Sequence, residues 1–331
     1  MKKVIVIILI VIIVLGGLYV TSEMLIRGLP DSEIALGEDN IIVPDDLLAE
    51  DMNIVVMSFN IRNLTKEDDS ADNWANRKDN VVDVIEDNSP DLIGLQEVKV
   101  PQYNYLVEAL GDEYGSYCMY RSGINQELAK KLNGDNEKTN LLVSYISEGV
   151  PIFYKKSRFE VLESDTFWLA EKTDIPNRGW DAACRRICSS LRLKDHYSNK
   201  ELTYFNTHAD HKGNVAKEKS VELITERISE TLGGVIITGD FNLREDSTSY
   251  ALLTAEDSPL VDTRYEATVL DNSSTSDGFT GDDDEKIIDY IFVEQEIYEV
   301  IDFTVKDEPY DDTHYVSDHH PIMATISFKA D

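Results

Sequence analysis

Three cysteines in 331 residues are too few to staple a fold, so a disulfide scaffold is excluded. Basic residues are scarce as well: 31 Lys and Arg stand against 63 Asp and Glu, a formal charge of −32. A surface of that sign repels phosphate backbones at long range and disfavours a basic nucleic-acid-binding module. There is no G-x-S-x-G elbow, Walker loop or G-x-G-x-x-G fingerprint, which removes the usual serine-hydrolase and nucleotide-cofactor readings. Fixed-period repeats and linkers rich enough to split a domain are also missing. Aromatic residues are plentiful: 16 Tyr, 10 Phe and 3 Trp can fill a sizeable core, so disorder of the whole chain is excluded.

Long hydrophobic runs are confined to one place. Lys2 and Lys3 precede Val4 to Val20, seventeen residues without a charge. As a helix this run reaches about 25 Å, the short end of a bilayer span. It exceeds the usual signal-peptide core, no A-x-A cleavage site follows, and the first cysteine, Cys118, is too distant to accept a lipid. Residues 1–22 are therefore expected to be a single-pass signal anchor of the cell membrane, with secretion after cleavage as the alternative. Lys2 and Lys3 favour a cytoplasmic N-terminus and an extracytoplasmic remainder. Residues 23–52 read as an acidic tether: nine acids accompany one base, Arg27, between 21 and 52, punctuated by Pro30, Gly37 and Pro44.

From Asn53 to Asp331 the chain reads as one α/β domain. Strands are predicted over Ile54–Phe59, Leu92–Leu95, Ile152–Tyr154, Phe159–Leu162, Ile187–Leu193, Leu202–Asn206, Val235–Thr238, Ile287–Val293 and Ile322–Phe328. Apolar spacing at Val81, Val82 and Ile85 predicts a helix over Arg77–Glu86, and Val215–Leu232 is the longest helix candidate, ended by Gly233-Gly234. Gly123–Thr139 is polar and reads as a surface excursion. Roughly ten strands with several helices point to two packed sheets with helices outside.

Short polar clusters follow those apolar runs: Ser58-Phe59-Asn60-Ile61-Arg62, Leu95-Gln96-Glu97-Val98, Asn206-Thr207-His208, Gly239-Asp240-Phe241-Asn242, Ile288-Asp289-Tyr290-Ile291 and Ser317-Asp318-His319-His320-Pro321. Singly, each is an ordinary turn, cap or solvated group. In this order, the set resembles the endonuclease/exonuclease/phosphatase superfamily of DNase I-like enzymes. G-D-x-N and S-D-H-x-P are its most specific parts, and the likeness runs over about residues 53–329. The stretches at 152–154, 167–169, 179–181 and 206–208 look closest to bacterial extracytoplasmic members. The resemblance implies a four-layered α/β sandwich, two packed mixed sheets flanked by helices.

It also implies hydrolysis of a phosphate ester, a reaction that needs an oriented water, stabilised phosphoryl charge and a stabilised leaving group. Mg²⁺ is the implied cofactor, with Mn²⁺ or Ca²⁺ as substitutes, because hard cations take oxygen ligands. By resemblance, Glu97 is the chief metal ligand, Asn60 lies beside it, and Asp318 is a further ligand or outer partner. His319 aligns with the catalytic histidine, and Asp289 with the carboxylate that fixes its tautomer. Asp240 matches the residue that orients or deprotonates the attacking water. Asn242 and His208 match phosphoryl-binding positions, and Arg186 adds a cation near the substrate, with Arg185 as the alternative register.

Some positions depart from the pattern. Ser189-Ser190 stand where bacterial relatives often carry Thr-Trp, and Lys217 where they often carry Arg. Arg62 replaces an acidic, metal-holding residue of repair nucleases and weakens that reading. Cys184 and Cys188, if on one strand, are about 13 Å apart, so structural thiols are preferred to zinc. The acidic run 282–285 lacks the spaced ligands of a calcium loop. Trp74, Trp168 and Trp180 are assigned to the core by default. The expected function is a membrane-anchored metal-dependent phosphodiesterase or phosphatase acting on nucleic acid, a lipid headgroup or a small phosphorylated molecule. The alternatives are a secreted nuclease or sphingomyelinase-like phospholipase of the same fold and a catalytically inactive binding module.

Overall fold

The computed structural model describes residue 41 and residues 52–65, 68, 72–132, 148–280, 286–311 and 314–330. The predicted anchor, nearly all of the predicted tether and the acidic run 282–285 lie outside the described residues. Among the described residues, no helix is long and apolar enough to cross a membrane.

The described chain runs β1 (Ile54–Asn60), α1 (Trp74–Asn88), β2 (Leu92–Gln96), α2 (Val100–Leu110), β3 (Tyr114–Tyr117), α3 (Gln126–Leu132), β4 (Ile152–Lys155), β5 (Phe159–Trp168), β6 (Ile187–Asp195) and β7 (Lys200–His208). It continues through α4 (Asn214–Ser229), β8 (Gly234–Asp240), α5 (Thr248–Leu253), β9 (Leu260–Asp262), α6 (Thr263–Glu266), β10 (Asp289–Glu294), β11 (Tyr298–Val305) and β12 (Ile322–Phe328). These strands form two six-stranded mixed sheets, ordered β11-β12-β1-β2-β4-β3 and β5-β6-β7-β8-β10-β9. Each sheet has one parallel central pair, β1 with β2 and β7 with β8, and each pair is joined by a crossover helix, α1 or α4. All four of those strands therefore end on polar residues of the candidate set or immediately before them.

Local sequence explains the crossovers. Asn73 caps α1 by accepting from the Ala75 N–H at 3.0 Å, and Ser89, in the left-handed region just before Pro90, ends it. Val81, Val82 and Ile85 form its buried face, as their spacing predicts. They pack with Met57, Phe59, Ile93, Leu95 and Phe153 on the outer face of the first sheet. On the second sheet, Phe205, Val235, Ile237 and Phe241 meet Val221, Ile224 and Ile228 of α4. The result is two packed mixed sheets flanked by helices, the predicted fold class.

Several details differ from the sequence reading. β5 extends to Trp168, past a bulge between Val161 and Glu163 that breaks the alternation. The strand β11 went unpredicted for the same reason: its register shifts between Val300 and Asp302, and as an edge strand it mixes buried and exposed positions irregularly. α2 also went unpredicted, although Pro101 fits the first helical turn. The polar excursion carries α3. Cys184 does not share a strand with Cys188; it precedes β6, and all three cysteines are free.

Candidate active site

Strand alternation divides each central strand between two chemistries. On β1 and β2, Met57, Phe59, Ile93 and Leu95 face the helices, which turns Ser58, Asn60, Gly94 and Gln96 toward the other sheet. On β7 and β8, Phe205 and Ile237 face α4, which turns Tyr204, Asn206, His208, Thr238 and Asp240 inward. The inner faces are joined by hydrogen bonds. Gln96 Nε2 donates to Asn206 Oδ1 at 2.8 Å, and Asn206 Nδ2 donates to the Leu95 and Pro151 carbonyls at 2.8 and 2.9 Å. Gly94 leaves room for the opposite sheet in this seam: a Cβ there would stand 2.1 Å from Thr238 Oγ1 and 2.6 Å from Asn206 Oδ1. The last rung joins two of the predicted site residues, Asn60 Nδ2 donating to Asp240 Oδ2 at 3.0 Å.

Around that rung the structure gathers most of the predicted set. Asp240, Asp289 and His319 place one ligand atom each within 4.8 Å of one another. His319 Nδ1 lies 2.8 Å from Asp289 Oδ2, and its Nε2 lies 3.9 Å from Asp240 Oδ2. Burial opposes protonation of His319, but the Asp289 and Asp240 carboxylates outweigh it and lift the imidazolium to about 10. Burial and the neighbouring Asp289 charge push Asp240 up to about 7. His208 Nε2 is 3.3 Å from Asp240 Oδ2; burial, reinforced by Arg186 and Arg121, pushes this histidine well below its ordinary value. The surroundings of one carboxylate thus split the two imidazoles, favouring the protonated form of His319 and the neutral form of His208. Asn242, with φ of 51°, donates its N–H to Asp240 Oδ1 at 3.0 Å.

Glu97 follows the last residue of β2, which pairs with Asn60, and is also in the left-handed region with φ of 63°. Asn63 donates its backbone N–H and its Nδ2 to Glu97 Oε2, at 2.9 and 2.6 Å. Burial acts to raise Glu97, but those bonds and the His319 and Arg62 charges hold it below the usual carboxylate range. Asn60 Oδ1 accepts the Arg62 N–H at 3.1 Å. Asp318, which burial pushes upward, lies 3.3 Å from Arg62 Nη1. The Glu97 carboxylate and the Asn60 amide oxygen are hard oxygen donors, and Asp289 Oδ1 is buried with no hydrogen-bond partner among the described residues; this chemistry fits a divalent cation.

Arg186 is 4% exposed, and its Nε and Nη1 make no hydrogen bond among the described residues. Its Nη2 donates to His211 Nδ1 at 3.1 Å, and its Nε lies 3.7 Å from Asp210. Arg185, the alternative register, is exposed. Cys184, Asp210 and His211 are a second close cluster, but the Arg186 guanidinium already sits against it, and Asp210 accepts from the Ala183, Lys212 and Gly213 N–H groups. That donor set suits a loop anchor rather than a metal. His320 turns away from the site toward Asp277, 3.1 Å distant. Trp74 and Trp168 are buried and Trp180 is half-buried.

Four supports were not foreseen. Asn63 fixes Glu97. Thr275 Oγ1 donates to Asp289 Oδ2 at 2.8 Å, which orients the carboxylate behind His319. Lys217 Nζ donates to the Asn242 carbonyl at 2.7 Å. Arg77, buried, donates to the Ile61, Arg62 and Val316 carbonyls at 2.5, 2.8 and 3.1 Å and so ties two site loops together. Two carried a usable signal: Arg77, an arginine on the apolar face of an amphipathic helix, and Lys217, a lysine where bacterial relatives often carry Arg.

The sequence profile of the Endonuclease/Exonuclease/phosphatase family matches residues 57–319. An endonuclease/exonuclease/phosphatase from Bacteroides vulgatus is 30% identical, with a TM-score of 0.72, over 84% of this chain and 99% of its own. A mannosyl-6-phosphatase from Bacteroides thetaiotaomicron is 27% identical, also with a TM-score of 0.72, over 83% of this chain and 100% of its own. An uncharacterised protein of Acanthamoeba polyphaga mimivirus is 25% identical over 194 residues, 56% of this chain and 66% of the viral protein, just under two thirds of its length.

Proposed function

The chain belongs to the endonuclease/exonuclease/phosphatase family, and from that premise we propose that it is a divalent-metal-dependent hydrolase of small phosphate esters. The observation that carries the reading is the rung itself: Asn60 bonded to Asp240, with His319 and His208 beside Asp240 and the Glu97 charge acting on the same group. Glu97 and Asn60 would hold Mg²⁺, with Asp318 behind them; bound there, the ion would supply Lewis-acid polarisation of a phosphoryl oxygen. Asp240, raised to about 7, orients the attacking water and can accept its proton at neutral pH. His319, protonated and braced by Asp289, presents Nε2–H to developing negative charge. Asn242, His208 and the unsatisfied guanidinium edge of Arg186 bind the remaining oxygens.

The formal charge of −32 is unfavourable to a long polyanion, and the likeness to a mannosyl-6-phosphatase favours a sugar phosphate or similar monoester. The uncharged run from Val4 to Val20 supports placing this activity at the outer face of the cytoplasmic membrane. The test is a substrate panel on the full chain in detergent with Mg²⁺, Mn²⁺ or Ca²⁺: mannose 6-phosphate, p-nitrophenyl phosphate, bis-p-nitrophenyl phosphate, plasmid DNA and sphingomyelin. EDTA-sensitive turnover, fastest on the monoesters, is expected. Faster cleavage of DNA or sphingomyelin moves the assignment to the nuclease or phospholipase alternatives, and turnover indifferent to EDTA removes the metal-dependent reading.

A further inference from the structure

Arg62 is held at every part. Its backbone is left-handed, with φ of 54°, a conformation that costs a non-glycine residue energy. The N–H donates to Asn60 Oδ1 at 3.1 Å, and the carbonyl accepts from Arg77 Nη2 and Gln102 Nε2, both at 2.8 Å. The guanidinium is fixed at both ends: Nε and Nη2 reach Asp68 Oδ1 at 3.2 and 2.8 Å, and Nη1 reaches Asp318 Oδ2 at 3.3 Å. Glu97 is near enough that each charge acts on the other. The guanidinium is thereby held against the Asp68 and Asp318 carboxylates while still partly open to solvent.

We propose that Arg62 is a built-in cation that limits the acidic pocket around Glu97 to a single divalent ion, an inference that rests on the metal-dependent reading above. The guanidinium pairs with the Asp68 and Asp318 carboxylates, and the His319 charge also acts on Glu97 and Asp318, so little negative charge is left there to balance a second divalent ion. Two-metal phosphoryl-transfer sites hold their ions about 3.5–4 Å apart. A second ion on the Asp318 side of Glu97 meets the fixed positive charge of Arg62 and finds Asp318 already paired.

The test counts ions and needs no turnover. The full chain, stripped with EDTA, is titrated with Mn²⁺ and followed by calorimetry and by the electron paramagnetic resonance of free Mn²⁺. One ion per chain is expected for the wild type and for Arg62→Lys. Arg62→Gln is expected to bind a second ion. Two ions on the wild type, none at all, or a count of one kept in a folded Arg62→Gln overturns the proposal. If Arg62→Gln does not fold, as judged by thermal unfolding, Asp68→Asn carries the test: one ion bound about tenfold more weakly is expected, and unchanged affinity overturns it. Turnover is read separately. A chain that binds one ion but hydrolyses no phosphate ester fails the hydrolase reading alone, and one that hydrolyses with two ions fails the Arg62 inference alone.

Discussion

The outer and inner faces of the two sheets are made from different chemistry. Outward, Phe59, Leu95, Phe205 and Ile237 meet helices through apolar packing that tolerates small adjustments without a change of register. Inward, Gln96, Asn206, Thr238 and Asn60 meet through directed hydrogen bonds whose partners cannot slip by one residue without leaving buried polar groups unmade. The difference teaches where each property resides: the outer layers supply stability, and the inner seam supplies the alignment that brings strand ends from opposite sheets into one site.

That division can be broken from either side. The largest effect is expected inside. His319→Ala should lower kcat by about 10³-fold, within the range for loss of a proton-handling group, while the thermal midpoint stays within a few degrees of wild type. Steady-state kinetics beside a melting curve checks it; a collapse of both together would show that the inner face also carries the fold. Outside, Phe205→Ala should cost about 3–5 kcal/mol of unfolding free energy in urea, as for a large buried aromatic. Activity per folded molecule should stay near wild type.

The smallest effect sharpens the contrast by pH. Asp240 in the folded chain is raised from 3.8 to about 7, so the folded state keeps a proton that the unfolded state has already released. Its contribution to stability is fully present below the unfolded carboxyl value and is lost as pH rises through about 7. With divalent ions removed, Asp240→Asn should therefore gain stability relative to wild type between pH 4 and pH 7. Denaturant melts across that window measure it. Phe205→Ala, carrying no titrating group, should show a constant deficit over the same range.

Much of this arrangement was legible as strands ending in polar clusters. Asn60, Asp240 and Asp289 end or begin strands whose apolar neighbours are plain in the chain, and the geometry brings them together with His319 and Glu97. What could not be read were the residues acting at second hand. Asn63 and Thr275 are loop residues of common types, and nothing in their spacing shows that one bonds Glu97 and the other Asp289. Gly94 lies within a buried strand, where a glycine reads as a weakness until the opposite sheet is seen against it. The β11 strand was hidden by its bulge, and the placement of Cys184 off the strand removed the premise on which its spacing had been judged.

The pairing of β1 with β12, Ile54 against Ile326, has a consequence for timing. Asn60 and Glu97 emerge early in synthesis, whereas His319 emerges more than two hundred residues later, and the strand beside it docks across that whole interval. Closing so long a loop is a slow, late event. A nascent chain can thus bury much of its apolar surface and still lack the imidazole that completes the site. The cluster of Asp240, Asp289 and His319 is therefore assembled only once the last strand, Ile322–Phe328, has been made and can dock.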